Sequence, residues 1–265
     1  MSVLDTERPA PARRSRGPRN RGWLGWVVPL LLLLAWFLTT GAGVFERVQL
    51  PPPVDVLNAA RQMWATGQLQ LNIAISVQRV LQGFAVGAVA GVVLGGLTGS
   101  SRVVHDLLAP TLGALRAVPS LAWVPLLGLW IGLGETPKIT LVAIGAFFPV
   151  YTTVLNALTH LDPALVEVGR AYGRRGVGLF REVLLPATAP ALLSGLRLGL
   201  AQSWLFLVAA ELLSSSIGLG FQLTNGQNTG RTDQMLLAIV LLAVLGKASD
   251  VVLGLVEGQV KRARG

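Results

Sequence analysis

The stretch that decides the fold is Leu161–Pro190, LDPALVEVGRAYGRRGVGLFREVLLPATAP. Asp162 is a good helix N-cap, Pro163 suits the first helical position, and Gly173 can end the helix. The predicted helix has about ten residues, whereas a bilayer crossing needs about 20. Apolar runs long enough to cross a membrane flank it on both sides, so this short helix is predicted to lie outside the bilayer.

One face of this short helix is apolar. Glu167, Arg170 and Arg174 project away from that face. Such a helix can dock into a groove on a soluble protein, or it can rest on the membrane surface as a solvated loop helix. The residues alone leave both interpretations open. The apolar face consists of Ala164, Leu165, Val168, Ala171 and Tyr172.

The composition predicts a membrane protein. Hydrophobic residues make up 52% of the 265 residues and charged residues 13%, whereas soluble domains carry about 25% charged residues. The net charge of +9 does not indicate nucleic-acid binding, because its arginines cluster in a tail that fits anionic lipid headgroups. The absence of cysteine and the two isolated histidines predict no metal site.

Apolar runs predict an all-α, polytopic membrane protein with six transmembrane helices. The first run, residues 23–40, is interpreted as a retained anchor, because it is long for a signal peptide and Gly41–Phe45 is a poor cleavage site. The other five predicted spans are Arg79–Gly99, Leu107–Leu133, Ile139–Leu158, Val183–Leu213 and Met235–Val256.

Basic residues orient these spans. Most of the 22 Lys and Arg residues fall in the amino-terminal tail, in the loop after the fourth span and at the carboxyl end, which places both termini in the cytoplasm. Residues 1–22 are predicted to be a disordered cytoplasmic tail, residues 79–258 the transmembrane core, and residues 259–265 a cytoplasmic carboxyl terminus. Residues 159–182 form a cytoplasmic loop within the core.

Residues 41–78 are predicted to be an extracytoplasmic loop with a short amphipathic helix. Asp55 is its expected cap and Gly67 its expected end. Packing on the bundle and contact with a partner are both compatible with it. Its apolar face is predicted to comprise Val56, Leu57, Ala60, Met63 and Trp64.

Two further patterns concern the helices themselves. Pro110, Pro119 and Pro125 predict a break in the third span, because proline removes a helix hydrogen bond. In the second span glycine recurs every fourth residue, which permits close helix packing within one subunit or between two. The glycines are Gly83, Gly87, Gly91, Gly95 and Gly99.

The loop and its surroundings resemble a known family. Glu167-Val168-Gly169, then Gly173 after three residues, then Val183-Leu184-Leu185-Pro186 after nine more, are similar to the Glu-Ala-Ala…Gly…Ile-x-Leu-Pro signature of permeases in binding-protein-dependent ABC importers of the methionine-importer-like type. Val168 and Gly169 replace two alanines of that signature. Val118–Leu126, Gly145–Pro149 and Ala209–Leu212 resemble the sulfonate, taurine and nitrate group, with most likeness to its aliphatic-sulfonate branch.

The resemblance implies a permease in the bacterial inner membrane with several partners: a second copy of the chain, two cytoplasmic ABC ATPase subunits and an extracytoplasmic substrate-binding protein. It also implies a coupling role for the loop. The chain has no Gly-x4-Gly-Lys-Ser/Thr phosphate loop, so no ATPase activity and no cofactor are expected of it. The expected ATPase-coupling residues are Leu165, Glu167, Val168, Gly169, Ala171, Tyr172, Gly173, Leu185 and Pro186.

Charged residues inside spans are costly and therefore candidates for function. Arg116 precedes the Pro119 break and is a candidate for attracting an anion, because broken helices line cavities. A structural partner and an interfacial position are the alternatives. Lys247 and Asp250 are expected to pair on one helix face. The candidate pathway residues are Arg116, Pro119, Arg197 and Glu211.

Three other function classes were weighed against an importer. An ion-coupled secondary transporter needs a relay of intramembrane carboxylates and usually inverted repeats, but only Glu211 and Asp250 lie in or near spans. A membrane scaffold would leave the Glu167–Pro186 pattern unexplained. An enzyme lacks a nucleophile with a base beside it. The substrate stays open among organosulfonates, taurine, nitrate and similar small anions, and a pyrimidine precursor.

Overall fold

The computed structural model describes residues 24–119 and 122–262, and every regular element in them is helical. The basic tail, Trp23 at the start of the first predicted span, and residues 263–265 lie outside the described residues. Eleven α-helices follow one another in these described ranges. They are α1 Leu24–Gly41, α2 Pro53–Ala65, α3 Gln68–Ser100, α4 Arg102–Ala117, α5 Trp123–Ile131, α6 Glu135–Thr159, α7 Pro163–Ala171, α8 Gly176–Leu179, α9 Leu185–Ser214, α10 Leu219–Asn228 and α11 Thr232–Arg262, with a π-helical turn at Phe180–Leu184.

Four helical segments of the described chain are long and apolar enough to cross a membrane: Gln68–Ser100, Glu135–Thr159, Gly176–Leu212 and Thr232–Gln259. The predicted third span is divided into α4 and α5, each shorter than a crossing requires. The predicted break is therefore confirmed, between Ala117 and Trp123. The fifth span begins earlier than predicted, because α8 and the π-helical turn continue directly into α9.

The second span also begins earlier, at Gln68 instead of Arg79. Gly67 allows this start because its φ of 76° lies in the left-handed region, where the chain reverses between α2 and α3. The helix therefore carries Asn72, Ser76 and Arg79, all buried, in its first turns. Residues 68–78 of the predicted outer loop are therefore helical.

Helix α2 packs against the bundle. Its buried residues Val56, Ala59 and Met63 meet Leu69 of α3 and Leu237 of α11. The predicted apolar face is wrong in part, because Leu57 and Trp64 are exposed. Asp55 lies within the first turn, and Pro52 occupies the N-cap position.

The glycine stripe of α3 lies against α6 of the same chain. A Cβ on Gly91 would stand 2.9 Å from the Phe147 carbonyl oxygen, and one on Gly95 would stand 2.9 Å from that of Tyr151. Contacts this close require the two backbones to touch, which is how helices associate when lipid provides no hydrophobic drive between them. The stripe therefore sets the α3–α6 spacing.

Helix α1 touches the bundle mainly through Trp36, whose indole nitrogen donates to the Pro51 carbonyl oxygen at 3.0 Å. Residues 30–34, all leucine, are more than half exposed. In a membrane protein such a surface is suited to lipid or to another transmembrane helix.

Candidate translocation cavity and coupling loop

A cavity of about 520 Å³ opens at the helix break. The end of α4, the start of α5, the middle of α6 and the middle of α9 enclose it. Two candidate pathway residues, Arg116 and Pro119, line it together. The other lining residues are Ala117, Val118, Trp123, Ile144, Gly145, Phe148, Pro149, Thr152, Thr153, Leu198, Gln202 and Phe206.

Arg116 is the charged residue among those that line this cavity, which we call the Arg116 cavity. Its side chain is exposed, and its one hydrogen bond in the described structure is a long one, from Nη1 to Thr152 Oγ1 at 3.5 Å. No described lining residue is acidic. The cavity therefore has a positive potential that favours an anion.

The polar and aromatic residues around Arg116 were not identified from sequence. Gln202 can donate through its amide, and Thr152 hydrogen-bonds the Phe148 carbonyl oxygen at 2.6 Å. Phe148 and Phe206 provide apolar walls. A glutamine within an apolar span was the available signal for Gln202, whereas the aromatic residues are indistinguishable in sequence from lipid-facing ones.

Arg197 does not line the Arg116 cavity. It donates to Asp250 Oδ1 at 2.7 and 2.9 Å and to Glu257 Oε2 at 2.9 Å, which links α9 to α11. The expected Lys247–Asp250 pair is confirmed, with Nζ 3.3 Å from Oδ2. These contacts give Arg197 carboxylate partners away from the cavity.

Glu211 also lies outside the cavity and is fully buried. Arg79 donates to its Oε1 at 2.6 Å, the Ser76 hydroxyl donates at 2.9 Å, and the Gly220 N–H donates to its Oε2 at 2.7 Å. Burying an ion requires this kind of saturation by charge and hydrogen bonds. The contacts give Glu211 a role in joining α3, α9 and α10.

Arg79 extends this set of contacts to α6. Its guanidinium makes a second, two-pronged contact with Glu135, with both nitrogen–oxygen distances at 2.6 Å. Lys138, itself buried, donates to Glu135 at 3.0 Å. We call these residues, Ser76, Arg79, Glu135, Lys138 and Glu211, the Arg79–Glu211 network. Glu135 and Lys138 are three residues apart, but Arg79 is 56 positions from Glu135 and 132 from Glu211. No local sequence pattern therefore predicted the network.

Glycines make room for the buried carboxylate. A Cβ on Gly218, whose φ is 123°, would stand 2.5 Å from Glu211 Oε1, and one on Gly220 would stand 2.6 Å from Glu211 Cβ. Asn72 accepts from the Gly218 N–H at 3.1 Å, and Ser76 accepts from the Leu219 N–H at 2.9 Å. The turn before α10 is thereby fixed to α3.

The short helix α7 forms as the sequence predicts. Asp162 Oδ1 accepts from the Ala164 N–H at 2.9 Å, and Pro163 occupies the first helical position. After the helix, Gly173 has a φ of 76° and its N–H donates to the Arg170 carbonyl oxygen at 2.9 Å. These bonds satisfy backbone groups at both helix ends.

The apolar face of α7 is uncovered. Leu165 is 44% exposed, Val168 55% and Tyr172 82%. Ala164 and Ala171 are exposed as well, and Glu167 is exposed without an ion pair among the described residues. An exposed apolar face of this kind is a candidate for contact with another protein or with the membrane surface.

Gly169 is on the opposite, buried side of α7. A Cβ there would stand 2.6 Å from Leu179 Cδ1 and 3.0 Å from Val183 Cγ2. Gly169 thus seats α7 on α8 and the π-helical turn, while Leu185 and Pro186 begin α9 and are half-buried. Of the predicted coupling residues, these three support the loop and the others are on its open face or at its end.

The family to which this chain belongs follows from its sequence similarity to known proteins. A family described as "Binding-protein-dependent transport system inner membrane component" matches residues 87–262, which include both the Arg116 cavity and α7. The chain belongs to this family. It is therefore a multi-pass protein of the bacterial inner membrane, and its relatives are transport permeases, not enzymes.

Several members of the family are similar over most of the chain. The putative aliphatic sulfonates transport permease protein SsuC of Bacillus subtilis is 36% identical, over 95% of this chain and 92% of its own length. The Escherichia coli protein of the same name is 38% identical, over 88% of each. The taurine transport system permease protein TauC of Escherichia coli is 31% identical, over 92% of each.

A solved structure shows the same fold. In inward-facing conformations of the MetNI methionine ABC transporter, one chain superimposes with a TM-score of 0.59 at 22% identity. The match covers 76% of this chain and 98% of that one. The methionine-importer-like fold inferred from the sequence is thereby confirmed.

Proposed function

We propose that this chain is the permease subunit of an ATP-driven importer, that two copies together form the pathway, and that two ABC ATPase subunits and an extracytoplasmic binding protein complete the transporter. The observation that carries the proposal is α7: a capped helix too short to cross a membrane, which presents an uncovered apolar face. Family membership supports a transport system that depends on a binding protein.

The coupling step rests on this helix. Leu165, Val168 and Tyr172 would enter a groove on the ATPase, and Glu167 would meet polar groups at its edge. Gly169 anchors α7 to Leu179 and Val183. Because α8 and the π-helical turn continue into α9, a displacement of α7 would be transmitted to a membrane-spanning helix that lines the Arg116 cavity.

The pathway is assigned to the Arg116 cavity. ATP binding would close the ATPase pair, move α7, and open the cavity to the other side of the membrane. Arg116 would attract the anion as a point of positive charge, while Gln202 and the threonines offer hydrogen bonds. Pro119 keeps the helix broken, so that backbone groups can face the cavity instead of lipid.

The proposed topology has six spans with both termini in the cytoplasm. The four long apolar helices supply four of them, α1 a fifth, and α4 and α5 together, divided by the break, the sixth. Positive charge in the amino-terminal tail and around α7 supports this orientation.

The proposed substrate class is a small anion, with an aliphatic sulfonate first, then taurine or nitrate. Two observations support it. Arg116 has no ion-pair partner in a cavity without acidic residues among its described lining, and the similar proteins are named as sulfonate and taurine permeases. Phe148 and Phe206 would suit the alkyl part of a sulfonate.

The direct test is uptake by proteoliposomes that contain the permease, its ATPase and its binding protein. We expect uptake of radiolabelled ethanesulfonate, taurine or nitrate that requires ATP in the lumen of the proteoliposomes. This uptake should persist when a proton ionophore is added. Uptake that needs an ion gradient instead of ATP would contradict the proposal, as would transport confined to cations.

A further inference from the structure

A second cavity lies between the end of α3 and the loop that carries α7. It measures about 680 Å³ and is separate from the Arg116 cavity. Its walls are apolar over most of their extent. They include Val93, Leu97, Leu158, Val177, Phe180 and Leu184. We call this cavity the α3–α8 groove.

The groove also has polar lining residues and one positively charged residue. Ser100 and Ser101 line it where α3 ends, and Ser101 is the N-cap of α4. Arg170 lines it from the side of α7. The lining of the groove therefore includes both the positive end of the α4 dipole and one guanidinium.

The charge of Arg170 is unbalanced. Among the described residues it makes no ion pair, and no described residue that lines the groove is acidic. The neighbouring Arg174 differs in this respect, because its Nε lies 2.8 Å from Glu182 Oε2. The groove thus combines apolar walls with a positive charge that no described lining residue neutralises.

We propose that the α3–α8 groove binds one anionic phospholipid, with an acyl chain along the apolar walls and the phosphate against Arg170 and the amino end of α4. The proposal rests on the proposed function for one point, that the loop carrying α7 is cytoplasmic. Basic pockets between transmembrane helices on that side of a membrane favour anionic lipid headgroups.

The position of the walls favours lipid over a protein occupant. Val93 and Leu97 belong to a membrane-spanning helix, and each is about half exposed, at 52% and 53%. The groove therefore opens where lipid chains are already present. Its order along α3, apolar and then positive at the helix end, matches the order of acyl chain and phosphate in a phospholipid entering from the membrane.

Such a lipid would also support α7. Val166 of α7 and Val177 of α8 line the groove together with the end of α3. A bound acyl chain would fill the space beside the contacts that Phe180 and Leu184 make with the buried residues of α3 and α6. The position of α7 would then depend on the anionic lipid content of the membrane.

The experiment uses the permease with its ATPase in nanodiscs of equal phosphatidylglycerol and phosphatidylcholine, released into native mass spectrometry. We expect one phosphatidylglycerol to be retained per permease copy. Arg170→Gln should lower its retention about fivefold, the factor associated with one arginine at an anionic membrane surface. Val93→Trp, which fills the groove, should lower it too. Arg181→Gln and Val86→Trp, at exposed positions outside the groove, should not.

Equal retention of both lipids, or retention unchanged by Arg170→Gln and Val93→Trp, would overturn the proposal. A protein in the groove would also overturn the proposal. The chain has no cysteine, so Leu97→Cys introduces a single one, and cross-linking it to the ATPase or to a second copy would detect such a protein. ATPase retention is read from the same spectra. Its absence from the wild-type complex would count against the proposed function, whereas groove-dependent lipid retention would stand on its own.

Discussion

Replacing Gly87 by alanine tests whether the glycine stripe sets the contact between α3 and α6. An added Cβ would stand 2.8 Å from Ala146 Cβ and 2.9 Å from the Ala143 carbonyl carbon, and nearer still to the oxygen of that carbonyl. Ordinary van der Waals contact begins near 3.4 Å. The obstacle is largely backbone, so α3 must shift as a unit by more than about half an ångström.

Such overpacking typically costs about 1–3 kcal/mol, occasionally more. Alanine is favoured over glycine inside a helix by about 1 kcal/mol, which offsets part of that cost. We therefore expect Gly87→Ala to lower the free energy of unfolding by up to about 2 kcal/mol. Gly113→Ala in α4 is the matched control, because nothing lies within 4 Å of its Cβ, and it should be neutral or stabilising.

The assay is thermal unfolding of the purified chain in mild detergent, followed by tryptophan fluorescence. Gly87→Ala should lower the unfolding midpoint, whereas Gly113→Ala should leave it unchanged or raise it. If Gly87→Ala were as stable as Gly113→Ala, the stripe would not determine the spacing of α3 and α6.

Three other variants probe the network, the coupling loop and the cavity. Glu211→Gln should destabilise the chain by about 3–5 kcal/mol, because it leaves the buried Arg79 without one of its two carboxylates. Arg231→Gln, in an exposed pair, should cost less than about 1 kcal/mol. Equal losses of folded protein from both variants would contradict this prediction. Gly173→Val forces a branched side chain to a φ of 76° and should uncouple ATP hydrolysis from uptake in proteoliposomes. Gly178→Ala should leave both hydrolysis and uptake unchanged. Normal uptake by the valine variant would count against coupling at this turn. Arg116→Gln should lower kcat/KM for anion uptake about tenfold or more, the effect of losing a hydrogen bond to a charged group, and unchanged kinetics would exclude Arg116 from the pathway.

Local features of this fold were predictable from sequence. The boundaries of α7 follow from Asp162, Pro163 and Gly173, because capping and positive φ depend on adjacent residues. The break in the third span follows from prolines for the same reason. The four-residue glycine period indicated close packing, although it could not tell whether the partner helix belonged to the same chain.

Features that depend on distant residues were not predictable. Glu211 and Arg79 are 132 positions apart, and neither lies in a pattern that announces the other. Arg197 was predicted to be a pathway residue because the sequence does not show its carboxylate partners. Asp250 and Glu257 are on α11, 53 and 60 positions away. Counting charges within spans shows that partners are needed, but only the packing of helices shows which carboxylate meets which arginine.

The helix boundaries that were misjudged have a common cause. Hydropathy placed the start of the second span at Arg79, whereas α3 begins at Gln68, because its polar first turns are buried against α10 and need no apolar character. Likewise the buried face of α2 follows Ala59 instead of Leu57, since the position of α11 decides which side is covered.

Co-purification from the native membrane tests most directly whether α7 couples this chain to a separate ATPase. Tagged wild-type chain should recover a phosphate-loop ATPase, identified by mass spectrometry. Leu165→Glu, which places a charge on the open face of α7, should lose it, whereas Arg102→Gln, at an exposed position on α4, should retain it. A clean homo-oligomer without ATPase in several mild detergents, or an ATPase retained by Leu165→Glu, would contradict the account.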